Sequence, residues 1–316
     1  MRRALVVGIN DYSWAPLQGC IKDAQNMGRI LGKHFDGQPN FHVRTLTSDN
    51  SIVTRAQLFR AIQELLERPA SVALLFFSGH GAQDKLGGHL VTQDSEKHNL
   101  GVALNDIVEL ANMTTHIAEI VIIVDACHSG HTGNTNPLNK DITTLRKGVS
   151  VLASSLQSEF SVEYNGQGLF TSIVTEALEG GGSDVLGQVS VAGVYNYVDK
   201  ALGPWEQRPV FKSHVTELST LRLCKPQMPI DHLREICKYF SPPNFEYSLD
   251  PLHEPNLEPR NSKKEEIYKF LLRARGSNLL EPVGEEHMYY AAKNSKSCKL
   301  TNTGKLYWRM VNNNKI

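Results

Sequence analysis

Two short stretches place a nucleophilic thiol and an imidazole in the same kind of setting. Cys127 lies in Asp125-Ala-Cys-His-Ser-Gly130, and His80 lies in Ser78-Gly-His-Gly81. Each stretch follows a continuous apolar run, and each contains glycine, which lets a substrate approach the backbone closely. A cysteine attacks as its thiolate and needs a lowered pKa or a nearby base. The two stretches together therefore predict a Cys/His nucleophilic pair.

Each of the two residues also has a structural interpretation. His80 alone would be a hydrogen-bonded loop histidine, and Cys127 alone would be a small buried apolar residue. Their shared setting favours the catalytic interpretation. An acyl-transfer site also needs donors for the developing oxyanion. The backbone N–H groups of Gly81 and Cys127 are the predicted donors.

The elements that must position these residues alternate between strand and helix. Three apolar runs predict buried strands: Leu5–Ile9, Leu74–Phe77 and Ile120–Val124. Helical spacing of apolar residues separates them along the chain. This alternation predicts an α/β fold with a mainly parallel central sheet flanked by helices. If the strands before His80 and Cys127 are neighbours, the two side chains can meet above one edge of the sheet.

Composition and length set the class of protein. The chain has 316 residues, of which 41% are hydrophobic, so it can form one large domain and a small one. Its five cysteines are odd in number and widely spaced, which argues against a disulfide framework and for a reducing compartment. The apolar run Ala4–Ile9 is too short for a signal peptide, and no stretch approaches the ~20 apolar residues of a membrane span. We expect a soluble, cytoplasmic protein without a membrane partner.

Three separated motifs resemble those of one known family. Ser78–Gly81, Asp125–Gly130 and the amino-terminal pair Gly8–Tyr12 and Leu17–Ala24 match, in the same order, the motifs of the caspase-like clan, peptidase family C14. The resemblance is to its metacaspase and prokaryotic branch, and it covers about residues 3–215. It implies a caspase-like α/β sandwich and a cysteine endopeptidase. Cys127 would then be the nucleophile and His80 the proton-transfer partner.

The resemblance also implies how the first domain is organised. Residues 1–228 would form the peptidase domain, with a large-subunit part at about 1–130 and a small-subunit part at 148–228. Residues 131–147, a polar stretch rich in Asn and Thr, would form the intersubunit loop. Many members of the family cut themselves in this loop.

The resemblance makes a further prediction about specificity. Metacaspases cut after Arg or Lys and use carboxylates to hold that side chain. Asp23, Asp125 and Ser78 occupy the matching positions, and two carboxylates can bind a guanidinium through charge-assisted hydrogen bonds. We predict cleavage after Arg, with Lys second; Ser154 and Ser155 are the candidates that would align the substrate strand. Asp23 could instead be a surface helix acid, and Asp125 a hydrogen-bond acceptor at a strand end.

The predicted intersubunit loop contains basic residues that such a protease would cut. Arg146 and Lys147 are the favoured self-cleavage points, and Lys140 is less favoured. We therefore expect a single chain that is activated by a cut, a ligand or a partner, including an activating protein or protease. The substrate would be a protein or peptide with Arg or Lys at the cleavage site.

The sequence departs from the family in its acidic and polar residues. Lys22 stands where metacaspases usually carry Asn. Asp84, Asp94 and Glu96 are sparse compared with the acid-rich segment that binds calcium in many members, and hard cations prefer six or more oxygen ligands. His128 lies next to the cysteine, but no paired Cys/His spacing supports a zinc site. We predict no metal and no cofactor.

The remainder of the chain predicts a linker and a small second domain. Residues 229–261 contain a short helix followed by five prolines within residues 242–261, which indicates a semi-rigid linker. Residues 262–316 predict a small, mostly α domain, and residues 298–311 resemble the wing and closing segment of a winged-helix fold. Residues 260–316 hold 12 Lys and Arg against 5 Asp and Glu. We favour a protein-interaction or autoinhibitory module over a nucleic-acid contact, because no helix here is strongly basic.

A second function remains open from the sequence. The chain would then be a catalytically silent caspase-like scaffold that recruits partners or nucleic acid through its carboxy-terminal domain. The intact pair His80 and Cys127 favours the enzyme.

Overall fold

A computed structural model describes most of the chain as two compact units. The described residues are 1–84, 87–96, 98–128, 144–154, 163–164, 167–202, 209–215 and 219–316. The first unit comprises residues 1–184 and 188–224, and the second comprises residues 185–187 and 225–316.

The first unit alternates strands and helices, as the sequence predicts. Its strands are β1 (Arg2–Gly8), β2 (His42–Thr47), β3 (Ala70–Asp84), β4 (Gly87–Leu90), β5 (Val102–Ala103), β6 (Ile117–His128), β7 (Val149–Ala153), β8 (Glu163–Tyr164), β9 (Gln167–Gly168), β10 (Gln188–Ser190), β11 (Val210–His214) and β12 (Thr220–Leu223). Its helices are α1 (Cys20–Gly32), α2 (Arg55–Glu67), α3 (Leu104–Met113), α4 (Leu169–Glu176, continued by a π-helical turn at Ala177–Gly181) and α5 (Val191–Ala201).

One sheet organises this unit. Its main strand order is β11-β7-β6-β3-β1-β2, and β4 and β5 extend from β3. In this main order, strands β7, β6, β3, β1 and β2 are parallel to their neighbours. Strand β11 pairs with β7 as an antiparallel edge strand. The sheet is therefore mainly parallel, and β3 and β6 lie side by side at its centre.

The central strands are apolar on both faces because both faces are covered. On one face Leu75 and Ile122 pack with residues of α2 and α3. On the other face Phe76 and Ile123 pack with residues of α1, α4 and α5. This alternation follows from the period of two along a strand. The predicted architecture of a parallel sheet flanked by helices is confirmed.

Helix α1 is amphipathic, and its apolar face covers one side of the sheet. Helix α1 buries Ala24, Met27, Ile30 and Leu31 against the sheet. The same face buries Asp23 in its first turn, although a carboxylate is rarely buried without partners. The alternative interpretation of Asp23 as a surface helix acid is therefore wrong.

The second unit has its own sheet and core. Its elements are α6 (Ile230–Arg234), α7 (Ile236–Tyr239), β13 (Tyr247–Ser248), a 3₁₀ turn (Pro251–His253), α8 (Ser262–Gly276), β14 (Leu280–Val283), α9 (Met288–Lys293), β15 (Ser297–Leu300) and α10 (Asn302–Asn312). The three strands form an antiparallel sheet in the order β13-β15-β14.

Two predictions for this part of the chain differ from the structure. The predicted linker at 229–261 supplies Leu233, Ile236, Phe240 and Leu249 to the core of the second unit, because its apolar side chains find partners on α8 and α10. The predicted wing at 298–311 is strand β15 running into α10, with helix α9 between the paired strands β14 and β15. Thr301 caps α10 by accepting a hydrogen bond from the backbone of Gly304, which favours a helix over a hairpin there.

Within the described residues, no helix combines the length and the apolar character needed to cross a bilayer.

Candidate active site

The pairing of the central strands β3 and β6 brings His80 and Cys127 to neighbouring positions. In the parallel pair of β3 and β6, His80 lies opposite Cys127, and Ser78 lies opposite Asp125. Both strands deliver these residues at their carboxyl ends, where open α/β sheets keep their binding sites. The backbone of Cys127 is part of β6, and its side chain lies outside the described part of the structure.

His80 is buried and oriented by a backbone carbonyl. Its Nε2 lies 2.7 Å from the carbonyl oxygen of Ala15. Because a carbonyl oxygen can only accept, Nε2 carries the proton and Nδ1 of the neutral ring carries a lone pair. Nδ1 is buried and has no hydrogen-bond partner among the described residues. A base that holds an open lone pair is what a cysteine nucleophile needs.

Two aromatic rings enclose the imidazole. The ring of Trp14 stacks on His80 at a centroid distance of 4.7 Å, and the ring of Tyr12 lies at 4.6 Å. The Tyr12 hydroxyl accepts a hydrogen bond from the backbone N–H of His80 and donates one to the carbonyl of Val91. A β-carbon on Gly79 would lie 2.6 Å from that hydroxyl, so this close approach requires glycine.

This enclosure lowers the pKa of His80. Burial disfavours the charged imidazolium, and the hydrogen bond to Ala15 offsets only part of that effect. The ring is therefore neutral at neutral pH. A neutral imidazole can take a proton from a thiol and later return it to a leaving group.

Beside this pair, three predicted pocket residues lie around the start of α4. The Ser78 hydroxyl donates a hydrogen bond of 3.0 Å to Asp23 Oδ2. The backbone N–H of Gly168 lies 3.3 Å from both carboxylate oxygens of Asp23. All three of Asp23, Ser78 and Asp125 are buried.

Asp125 is held by donors from two elements. Its Oδ2 accepts hydrogen bonds from the Thr171 hydroxyl at 2.6 Å and from the Thr171 backbone N–H at 3.2 Å. The Ser154 hydroxyl also bonds to this carboxylate. Burial nevertheless raises the pKa of Asp125, because desolvation outweighs these donors. A cation bound here would restore the charged form.

Gly168 lies between the two carboxylates. A β-carbon built on it would lie 2.7 Å from Asp125 Oδ2 and 3.2 Å from Asp23 Oδ2. Both oxygens therefore flank the same backbone position. A side chain at residue 168 would therefore press on both carboxylates.

The remaining polar candidates lie near the same strand ends. Gly81, the predicted oxyanion donor on β3, lines a small pocket together with Ser154. Ser154 continues the pairing of β6 and β7 through its N–H, and its hydroxyl accepts from the N–H of Ala126. The Ser154 side chain thus binds the backbone of β6 at Ala126, next to Cys127. Ser155 lies outside the described residues.

The basic residues predicted as self-cleavage points differ in their surroundings. The Arg146 guanidinium donates to the carbonyls of Ala111, Ile117 and Lys147. Lys147 is exposed. Arg146 would have to lose these bonds to enter a protease subsite, which makes Lys147 the better candidate of the two. Lys140 lies outside the described residues.

The acidic residues considered for calcium are separate. Asp94 accepts hydrogen bonds from Thr92 and from the backbone of Arg55, and Asp84 lies 3.9 Å from His89. Across the described ranges, no group of three His, Cys, Asp or Glu side chains is arranged to hold a metal ion. The prediction that the protein needs no calcium stays a prediction.

Sequence reasoning missed several residues that shape this site. The carbonyl of Ala15 and the ring of Trp14 follow the amino-terminal motif directly, so the length of that motif was the available signal. Gly168 and Thr171 lie in the small-subunit part, at the end of β9 and in the first turn of α4. Nothing in their spacing links them to Asp23 or Asp125, since the contacts span 145 and 46 residues.

The chain is similar in sequence and in fold to known proteins. Residues 1–220 match the family model of the caspase domain, peptidase family C14. Proteins named metacaspase-1 from Debaryomyces hansenii and Eremothecium gossypii are 31% and 32% identical over 145 and 147 residues, which is 41% of this chain in each case. The chain covers only about a third of the length of these relatives, 33% and 32%.

Two solved structures share the fold. Protein GSU0716 from Geobacter sulfurreducens superposes with a TM-score of 0.52 at 19% identity, covering 71% of this chain and 99% of that protein. Caspase-1 from Spodoptera frugiperda superposes with a TM-score of 0.52 at 15% identity, covering 70% of this chain and 92% of that protein. The predicted caspase-like fold is confirmed.

Proposed function

Because residues 1–220 make this chain a member of the caspase family of cysteine peptidases, we propose that it is an active endopeptidase that cuts after Arg, with Lys second. One observation carries this proposal. The two buried carboxylates Asp23 and Asp125 flank Gly168, at the strand ends that pair His80 with Cys127. A nucleophile and an anionic pocket on one sheet edge are what a protease for basic residues requires.

The chemistry follows from the roles of the two side chains. His80 Nδ1 takes the thiol proton of Cys127, and the thiolate forms a C–S bond to the scissile carbonyl carbon. The C–N bond then breaks, and the imidazolium gives its proton to the departing amine. Water, with His80 again as base, attacks the thioester. The C–S bond breaks, the carboxylic acid leaves, and the thiol is restored.

The oxyanion formed in these steps needs fixed donors. We assign this role to the backbone N–H groups of Gly81 and Cys127, which lie one step apart on the paired strands β3 and β6. Such donors stabilise the tetrahedral intermediate because they are already oriented before the reaction begins.

The carboxylate pocket supplies the specificity. A guanidinium carries five N–H donors in a planar fork and suits two carboxylates better than an ammonium does. Entry of the cation replaces the Gly168 N–H as a partner of Asp23. It also relieves the desolvation of Asp125, so the binding of Arg and the ionisation of Asp125 favour each other.

Regulation of this activity would involve the loop that precedes β7. We assign Lys147 as the first self-cleavage point, since Arg146 is hydrogen-bonded to three carbonyls. A cut here, or a protein partner, would activate the single chain. The second unit would serve as an interaction or autoinhibitory module.

The test is a panel of fluorogenic peptides that end in Arg, Lys or Asp, with and without calcium. We expect turnover of the Arg peptide first and the Lys peptide second. The Cys127→Ala variant should lose activity by on the order of 10⁴-fold or more, while Cys237→Ala, a free thiol of the second unit, should not change it. Preference for Asp alone would refute the pocket assignment. No turnover by the wild-type protein would leave the silent scaffold as the function.

The intact mass of the same proteins tests the loop. We expect a cut after Lys147 in the wild type and an uncut Cys127→Ala chain. A cut after Arg146 instead would contradict the assignment made from its hydrogen bonds.

A further inference from the structure

Thr171 is a fully buried residue in the first turn of α4. Its hydroxyl and its backbone N–H both donate to the same oxygen, Asp125 Oδ2, at 2.6 and 3.2 Å. This contact joins residues 46 positions apart in the chain. Two donors from one residue fix both the position and the rotation of the carboxylate.

These bonds come from a helix start, where backbone N–H groups lack partners inside the helix. An anion at this end is stabilised by the free N–H groups and by the helix dipole. Gly168, the N-cap residue directly before this turn, directs its N–H to Asp23. The start of α4 therefore presents donors to both carboxylates of the pocket.

We propose that Thr171 is a positioning residue for substrate specificity, which holds the Asp125 carboxylate as an oriented anion ready for the substrate cation. The proposal rests on the proposed function, since Asp125 is there assigned to bind Arg. Thr171 itself does not touch the substrate. It acts through Asp125.

The surroundings of Asp125 make the hydroxyl important. The described donors to this carboxylate are Thr171 and Ser154, and the titratable group across Gly168 is Asp23, which is of like charge. Burial already favours the protonated acid. Loss of one short charge-assisted bond would move the carboxyl further toward its neutral form, in which it binds a guanidinium weakly.

The chain offers a matched control one turn along the same helix. Thr175 is also buried, and its hydroxyl donates to the carbonyl of Ser172. Valine at either position keeps the shape and removes the hydroxyl. Thr171→Val and Thr175→Val thus differ in whether the lost hydroxyl served the pocket.

The experiment measures kcat and KM for the Arg peptide from pH 5 to 9, with rates normalised to active sites titrated by a covalent thiol inhibitor. This normalisation excludes any protein that failed to fold. For Thr171→Val we expect KM at neutral pH to rise about 10-fold or more with kcat nearly unchanged. The acidic rise of KM should begin at higher pH than in the wild type. Thr171→Ser should restore the wild-type KM, and Thr175→Val should keep it.

The outcomes separate the two proposals. A wild-type enzyme that does not cut the Arg peptide refutes the proposed function itself. A wild-type enzyme that cuts it, together with a Thr171→Val variant of unchanged KM and pH profile, refutes the role of Thr171 alone. A fall in kcat without a rise in KM, or a Thr171→Ser variant as impaired as Thr171→Val, would also refute it.

Discussion

His80 and Asp125 lie at neighbouring strand ends, but their side chains differ in hydrogen bonding. The Nε2–H of the imidazole donates a hydrogen bond to the carbonyl oxygen of Ala15, and the buried Nδ1 has no partner among the described residues. The carboxylate of Asp125 accepts two hydrogen bonds on one oxygen from Thr171. The histidine is left open for a proton, whereas the carboxylate is held by the fold.

Burial shifts the pKa values of the two groups in opposite directions, and in both cases it favours the neutral form. It lowers the pKa of His80 and raises the pKa of Asp125, because it disfavours the charged form of each. The neutral form serves the histidine as a base. The charged form is what the aspartate needs for binding a cation. Burial therefore opposes the charged form of Asp125 that our proposal needs for binding a cation, and it favours the neutral form of His80 that the proposal needs for a base.

The largest effect that tests this comparison is expected at the histidine. His80→Ala should lower kcat by about 10²- to 10⁴-fold, since it removes the base. His89→Ala, a partly buried histidine on β4, is the control and should leave kcat near the wild-type value. Steady-state kinetics with the Arg peptide measure both. Equal losses in the two variants would mean that the ring of His80 supports structure only.

The next effect concerns Asp125 and has two parts. Asp125→Asn should reduce kcat/KM for the Arg peptide by about 30-fold or more, because a buried charge partner is worth about 2–5 kcal/mol. The same variant should unfold at a higher temperature. The raised pKa of Asp125 means that its ionisation at neutral pH costs stability in the native state, and the amide removes that cost.

Glu119→Gln is the matched control for Asp125→Asn. Glu119 lies at the other end of β6, is buried, and also has a pKa raised by desolvation. Its substitution should raise the melting temperature without changing kcat/KM. A lower melting temperature of Asp125→Asn would contradict the inference that ionisation of Asp125 costs stability in the native state.

A smaller effect is expected at the ring beside the histidine. Tyr12→Phe removes the hydroxyl that joins His80 to Val91, and it should lower the free energy of unfolding by about 1–3 kcal/mol. Urea denaturation measures this change. Tyr195→Phe, a partly buried tyrosine on α5 that stacks on Phe211, is the control and should change it less.

The smallest effect is a shift in the pH profile. Because the pKa of His80 lies below its ordinary value of about 6.5, the ring stays neutral as the pH falls to that value. The acidic limb of kcat should therefore lie below pH 6.5. Trp14→Ala would expose the ring to water and move that limb upward. An unchanged limb in this variant would show that the stacked ring does not set the pKa.

Much of this architecture could be read from local pattern. Apolar runs of strand length predicted the central strands, because a strand covered on both faces needs apolar residues throughout. The motifs around His80 and Cys127 predicted which strand ends carry the chemistry. The predicted linker at 229–261 contributes to the core of the second unit, because prolines indicate local chain stiffness and not the tertiary partners that bury Phe240 and Leu249. The winged-helix fold of the second unit stays a prediction.

The sequence by itself predicted the parallel sheet and the pair His80 and Cys127, and its resemblance to a known family implied the three pocket candidates Asp23, Ser78 and Asp125. Only the tertiary structure decided what surrounds them. It placed Ala15 on His80 Nε2, and it brought Gly168 and Thr171 to the two carboxylates. The physical reason is that strand and helix periods follow from neighbouring residues. Desolvation and hydrogen bonding at a strand end depend on segments up to 145 residues away, and no local pattern records them.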